Sequence, residues 1–465
     1  MKAELSKKDQ KNRELSLNGN MWLVILYICL PLALYQSLNQ VFSVLDTMMA
    51  SHISATSVST VAYLSQVKQI LSALGGGVAV GSGIQISRAY GEGDYMLVKK
   101  RVSTVYAFCL AIGLVLLGIL MPFTKQFLKL AGTPDDLIED GTAYFRVQLL
   151  TLVVSFVNNV YISVEKARGN SRRILIINLV VIVTKLSLTA IFVYLLNGGL
   201  VMIAYASLIS NTLLLVIGII NSRDKDNVFG FSLKAITGRK DVSLPMIRSS
   251  YPVVAEKALF AFGKTVVNSM CTVYGSLMVG AMGVSNNIGG ITTNPQNGFQ
   301  DGASAVISQN FGAKNYRRVL QAFFVTLAVN VSISIVILMI VMGNLDAVAG
   351  LFDGSDPEFH RLIMKVYQYE AYGAVPLAVN ATVMALLYGL GKTKITMVIH
   401  VSRVFVFRIP VFWFLQNFTN YGEASVGIVM MVSNISVAVM STIVAIVVIL
   451  RYRRKYLLSG AHLSE

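Results

Sequence analysis

Stretches of about twenty apolar residues recur along the whole chain, each long enough as a helix to cross a hydrocarbon core about 30 Å thick. Twelve can be counted, at residues 20–43, 57–85, 102–122, 142–163, 174–196, 199–221, 250–275, 283–308, 319–343, 364–389, 395–416 and 424–450, and we number them spans 1 to 12. No other feature narrows the fold so far. A hydrocarbon environment offers backbone N–H and C=O groups no partner, so each span must be a helix that satisfies its own. With 55% hydrophobic and only 13% charged residues, the chain has too little polar surface to wrap one water-soluble core. Span 1 is longer than the apolar core of a signal peptide, and no small-residue cleavage pattern follows it, so it is expected to persist as a mature helix.

Orientation follows from the Lys and Arg residues between spans. They gather at the amino terminus, at Lys99, Lys100 and Arg101, at Arg168, Arg172 and Arg173, at Arg239 and Lys240, at Arg317 and Arg318, at Lys392 and Lys394, and from Arg451 to Lys455. Connections on the opposite side carry acidic clusters instead, with Asp135, Asp136, Glu139 and Asp140 in one and Asp353, Asp356 and Glu358 in another. The positive-inside rule therefore predicts cytoplasmic termini, in a multi-pass protein of the plasma membrane. The net charge of +16 reads as this topology signal and as contact with anionic lipid, not as nucleic-acid binding. Cys29, Cys109 and Cys271 lie singly within apolar spans, without metal-site or redox spacing, and are expected to fill the core.

The chain also repeats itself. At an offset of 221, Pro31 aligns with Pro252, Gly77 with Gly298, Gly81 with Gly302, Ser87 with Ser308, Gly91 with Gly312 and Tyr95 with Tyr316. One residue further on in register, Asn158 aligns with Asn380 and Gly169 with Gly391. Six spans per half is an even number, so both halves enter from the same side. The expected fold is all-α and polytopic: twelve transmembrane helices in two parallel six-helix lobes, related by a pseudo-two-fold axis along the membrane normal. The expected divisions are a cytoplasmic tail (1–19), an N-lobe (20–221), a cytoplasmic linker (222–249), a C-lobe (250–450) and a second tail (451–465). The GxxxG pairs read as close-packing sites, and Pro31 and Pro252 as bends in spans 1 and 7.

Charge inside these spans points to function. In the stretch YPVVAEKALFAFGK, Lys257, Lys264 and the following Asn268 fall on one stripe of span 7, with Glu256 beside it. Each such charge costs roughly 2.5–3.5 kcal/mol at a helix centre. Span 1 carries Gln36, Gln40 and Asp46 at helical spacing, span 2 carries Lys68, span 5 Lys185 and Thr189, span 10 Glu370, and span 11 Arg403 and Arg408. Span 8, with Asn294 and Asp301 and interrupted by Gly290 and Pro295, is too polar and too broken to face lipid. Polar stripes on so many spans imply a water-filled cavity between the lobes, and hence a transport pathway. Enzymatic signatures are missing: no HExxH, no GxSxG, and His52, His360, His400 and His462 are scattered. The run GLGKT lacks the first glycine of a phosphate-binding loop, since Leu386 stands there. The reading is a transporter driven by an ion gradient, with no cofactor.

The residues assembled so far resemble the multidrug and toxic compound extrusion family of secondary transporters, in the wider group that includes lipid-linked oligosaccharide flippases. The resemblance rests on PLALYQSLNQVFSVLDTMMAS in span 1, on SRAYGEGDY and SQNFGAKNY after spans 2 and 8, on KARGNSRR and YGLGKTK, and on FRIP in span 11. It implies an antiporter that exports drugs or amphipathic metabolites by rocker-type alternating access, driven by H⁺ or Na⁺ and working as a monomer in the lipid bilayer. It also implies ion-coupling roles for Asp46 and Glu256. Span 5 departs from the family pattern. Lys185 and Thr189 occupy the places where many members carry Asn and Asp, and a fixed ammonium there repels Na⁺, so Lys185 reads as a built-in cation for Asp46. The second reading, favoured by the excess of interior Lys and Arg, is a flippase or exporter of an anionic lipid-linked or phosphate-bearing substrate.

Overall fold

The computed structural model describes residues 3–51, 55–130, 133, 135–224, 226–352 and 356–458, without the side chains of 43, 44, 46–51, 55–63, 135–137 and 140. Among these residues the chain is helical, and the only β feature is an isolated bridge between Glu4 and Asn227. All twelve spans fall on helices. Spans 1 to 4 lie on Met21–Ser51, Ala55–Glu92, Tyr95–Leu120 and Asp135–Ala167, and spans 5 and 6 on Ser171–Ala190 and Leu200–Asn221. Spans 7 to 9 lie on Lys240–Cys271, Ser276–Gly312 and Tyr316–Gly343, and span 12 on Ala424–Arg453. Span 10 is formed by Pro357–Glu370 and Ala374–Gly389 around a tight turn, and span 11 by Thr393–Phe405 and Ile409–Phe418.

Among the described residues, ten of these segments are apolar enough throughout to cross a membrane on composition alone. The exceptions are the helices of spans 7 and 8, where Glu256, Lys257 and Lys264 or a run of Gly and Asn residues dilute the apolar character. The helix of span 8 also runs without interruption through Gly290 and Pro295, correcting the expected break. Inside a packed bundle, neighbouring side chains and helices support a backbone that proline has deprived of one hydrogen bond.

Burial is distributed as a membrane requires. On span 9, Val336, Met339 and Ile340 are exposed while Thr326, Asn330 and Ser334 are buried. Ser334 accepts a hydrogen bond from Gln296 Nε2 at 2.8 Å, and Asn330 donates to the carbonyl of Ala378 at 3.2 Å. Apolar side chains face outward and polar ones inward, the reverse of a water-soluble helix.

The chain packs as two compact units. The first comprises Met1–Glu14 and Val41–Ala258, and the second Leu15–Gln40 and Leu259–Glu465. The core of the first is built on Tyr90, Phe145, Phe156 and Leu128, that of the second on Tyr367, Phe412, Val366 and Met282. One unit boundary falls within the amino-terminal helix Lys7–Asn18, and the other two fall within the helices of spans 1 and 7, so that each of these two contributes successive parts to both units.

The repeated glycines account for this. A methyl group added to Gly77 would lie 2.5 Å from Val254 Cγ2, and one on Gly81 would lie 2.4 Å from Ser250 Cα, both in the first unit. In the second unit a methyl on Gly298 would lie 2.4 Å from Ala33 Cα, and one on Gly302 would lie 2.6 Å from Cys29 Sγ. Val254 and Ser250 stand 221 residues after Ala33 and Cys29, so the same contact is made twice. Only glycine lets the backbones approach this closely. The repeat extends to turns: Gly93 and its counterpart Lys314 have φ of 81° and 60°, and Gly169 and Gly391 have 76° and 72°.

The amino-terminal segment is ordered. Lys7–Asn18 is a helix whose Asp9 is fully buried. Arg168 donates from Nε to Asp9 Oδ1 and from its second terminal nitrogen to Oδ2, both at 2.9 Å. Tyr90 donates its hydroxyl proton to the Asp9 carbonyl at 2.8 Å, and Asn227 donates to Asp9 Oδ2 at 3.3 Å. Phe229, from the linker, is buried edge-on against Tyr90 and beneath the Arg168 guanidinium. Burial opposes ionisation of Asp9, but the Arg168 hydrogen bonds and charge outweigh it and hold its carboxyl below the usual range.

Candidate functional site

Charged side chains gather within each unit, and each set has its own local cause. In the second unit, Glu370 closes the helix Pro357–Glu370 immediately before the turn of span 10. Its Oε2 accepts the Ser285 hydroxyl at 2.6 Å, while Gly289, on the same helix as Ser285, leaves room for Oε1. Arg403 lies in the last turn of the first helix of span 11, and Arg408 immediately precedes the second. The interruption between them turns both guanidiniums to span 12. Asn434 Oδ1 accepts from Arg403 at 2.7 Å and from Arg408 at 3.2 Å, and Ser433 accepts from Arg408 Nε at 3.0 Å. The Arg403 guanidinium also lies 5.5 Å from the Phe260 ring centroid. Lys264 is within electrostatic reach of Arg403, Arg408 and Glu370.

In the first unit, a cavity of about 190 Å³ is lined by Leu64, Ser65, Lys68, Tyr144, Gln148, Lys185 and Ser207. Lys68 donates to Gln148 Oε1 at 2.6 Å. The volume suits a small ion or a cluster of waters, below the roughly 300–1,000 Å³ typical of drug-sized ligands.

The residues singled out from the sequence are thus sorted into separate places. Lys264, Glu370, Arg403 and Arg408 come together, as do Lys68 and Lys185. Gln40 and Asn294 meet directly, with Asn294 Nδ2 donating to Gln40 Oε1 at 2.8 Å, and Gln40 also donates to Asn287. Gln36 and Asn268 are half-buried in the second unit. Thr189 is fully buried with no hydrogen-bond partner for its hydroxyl among the described residues. Asp301 lies close enough to the buried Cys29 to act on its thiol electrostatically. The Asp46 side chain lies outside the described residues.

Span 7 requires a correction. Glu256 is buried in the first unit, whereas Lys257 is exposed and Lys264 belongs to the second unit. The expected stripe of Lys257 and Lys264 assumed one environment along the helix. Its packing partners change between Ala258 and Leu259, and the buried face changes with them.

Sequence reasoning missed Ser433 and Asn434, although an Asn within the apolar run ASVGIVMMVSN was a usable signal. It also missed Ser285, Tyr144, Gln148 and Ser207, which carry no charge to draw attention. Among the described residues, no three of His, Cys, Asp or Glu stand together as metal ligands.

Helices long and apolar enough to cross a membrane, with charged side chains buried inside each unit, are the make-up of a polytopic membrane protein. The MatE family model matches residues 31–191 and 252–414, most of the chain, and its two matches begin at Pro31 and Pro252, the spacing of the internal repeat. The chain belongs to the MatE family. It is 24% identical to the probable multidrug resistance protein YoeA of Bacillus subtilis over 354 residues, covering 74% of this chain and 75% of the relative. It is 22% identical to the multidrug export protein MepA of Staphylococcus aureus, covering 74% and 76%. A solved outward-facing multidrug resistance MATE family transporter of the MOP superfamily superposes with a TM-score of 0.90 at 18% identity, over 97% of this chain and 100% of that one. The fold is therefore that of MATE transporters, which have twelve helices in two lobes.

Proposed function

We propose that the protein is a secondary active antiporter that exports drugs or amphipathic metabolites across the plasma membrane, with both termini cytoplasmic. Inward flow of H⁺ or Na⁺ through alternating access supplies the energy, and the chain works as a monomer without a cofactor, as a transporter and not as an enzyme. The observation that carries this reading is the membership of a family of transporters in a chain whose buried interior holds ionisable residues in each unit. Relatives named for multidrug resistance or export support the drug assignment.

Glu256, buried within the first unit, is the proposed proton carrier, since a carboxyl group can take up and release H⁺ as the transporter alternates. Asp46 and Lys185 form the second proposed coupling element, the ammonium occupying a position that a free Na⁺ would otherwise take. Reconstituted vesicles test the whole. With H⁺ and Na⁺ gradients imposed separately, ethidium should be expelled under one of them and not in their absence. Glu256→Gln should abolish the dependence on that gradient, and exchanging the charges of Asp46 and Lys185 should restore transport lost in either single variant. Movement of ethidium only with ATP, at clamped gradients, would overturn the reading.

A further inference from the structure

The cluster in the second unit has an imbalance that the exporter reading leaves unexplained. Lys264, Arg403 and Arg408 are three cations, and Glu370 is the only carboxylate among the described residues that acts on any of them. No ion pair joins Glu370 to them within this set, and one Glu370 oxygen is already engaged by the Ser285 hydroxyl. Arg408 is buried, and a guanidinium cannot escape its cost by losing a proton. The two arginines converge on a single amide oxygen of Asn434, and a buried N–H of the pair, Arg403 Nε, has no acceptor among the described residues. Two guanidiniums offer about ten N–H donors between them, far more than Asn434 and Ser433 can accept. Like charges at this spacing repel, and in a poorly polar interior the repulsion is weakly screened.

We propose that this cluster is an anion-binding site, which takes the carboxylate or phosphate headgroup of an amphipathic molecule between Arg403, Arg408 and Lys264. The planar guanidiniums suit two oxygens of such a headgroup at once, and Lys264 contributes a mobile third contact. Phe260, against which Arg403 already lies, offers an apolar surface for the remainder of the molecule. Glu370 limits affinity, since its negative charge repels the same ligand, and this permits release. A lipophilic cation finds the opposite: its charge would join three like ones. The inference rests on the exporter reading for the fate of the ligand, but binding is measurable without transport. A free organic anion and an anionic lipid present the same headgroup chemistry, and the experiment separates them.

The test uses the full chain in nanodiscs of phosphatidylcholine, with hexyl phosphate titrated calorimetrically and hexyltrimethylammonium as the charge-reversed control. Hexyl phosphate should bind saturably and the ammonium should not displace it. Arg403→Gln and Lys264→Gln should each weaken binding about tenfold or more, the loss expected of a charge-assisted hydrogen bond. Glu370→Gln should strengthen it, a change of sign that damage to the fold does not imitate. Replacing the lipid with phosphatidylglycerol identifies the natural occupant. Loss of hexyl phosphate affinity marks a lipid headgroup, unchanged affinity marks a free anion, and either supports the site. No saturable binding to the folded protein, or binding indifferent to all three substitutions, overturns it. Gradient-driven ethidium export would survive that outcome, so the two readings fail separately.

Discussion

Substituting Gly77 with alanine tests whether the helices of the two sequence halves are locked together by repeated glycine contacts. The added methyl would lie 2.5 Å from Val254 Cγ2 and 2.7 Å from Val254 Cα and N. Carbon atoms in favourable contact are about 3.5–4.0 Å apart, so the two helices must separate by roughly 1 Å. Two of the three obstructing atoms belong to the backbone, which cannot rotate away as a side chain can. Overpacking of this kind costs about 1–3 kcal/mol, and we expect the upper half of that range. Gly76, one residue earlier, has nothing within 4 Å of the same added atom, so Gly76→Ala serves as the matched control and should be neutral or gain a fraction of the roughly 0.8–1.0 kcal/mol by which alanine exceeds glycine in helices. All three cysteines are buried, so a thiol-reactive fluorogenic dye reports unfolding directly. Gly77→Ala should lower the apparent melting temperature by about 2–4 °C per kcal/mol, and Gly298→Ala, against Ala33, should do the same. If Gly77→Ala and Gly76→Ala melted together, the backbone contact would not be what holds span 7 against span 2.

Asp9→Asn leaves Arg168 paired with Glu165 alone, so we expect about 2–3 kcal/mol less protection of Lys7–Asn18, seen as faster amide hydrogen exchange in that helix with the rest of the protein unchanged. The same carboxyl sets a pH dependence. Its folded value lies below the unfolded one of about 3.9, so its contribution is complete above pH 5 and fades as pH falls through and below 4; proteolysis of the segment should rise there in the wild type but show no such step in Asp9→Asn. Gly93→Ala forces a φ of 81° on a residue whose Cβ would make only an ordinary contact, 3.7 Å from Arg13 Nη2, and should cost about 1–2 kcal/mol, whereas Lys314→Gly, at the equivalent turn, should be neutral or stabilising by thermal unfolding.

Much of the site was visible as chemistry before it was visible as geometry. Lys264, Glu370, Arg403 and Arg408 were identifiable because a charge in an apolar span has few bland explanations, and they lie within electrostatic reach of one another. Their neutral partners were harder to see. Ser285 and Ser433 resemble any serine that satisfies itself on its own helix, and only proximity gives them a role. Lys257 was ambiguous in sequence, equally compatible with the interior stripe and with reaching the membrane interface, and the fold leaves it exposed. The amino-terminal helix was hidden because a segment rich in Lys, Asp and Gln reads as solvated until Arg168 and Tyr90 are placed beside Asp9.

Local periodicity and composition determined that this chain crosses a membrane many times, that its halves repeat, and that certain charges must be sheltered, because these properties depend on neighbours in sequence. The partition of spans 1 and 7 between two packing units, at Gln40–Val41 and Ala258–Leu259, was decided only by the tertiary structure. So was the meeting of two arginines at Asn434. Both depend on which helices pack together across the sequence, and a helical period carries no information about the partner its face will meet.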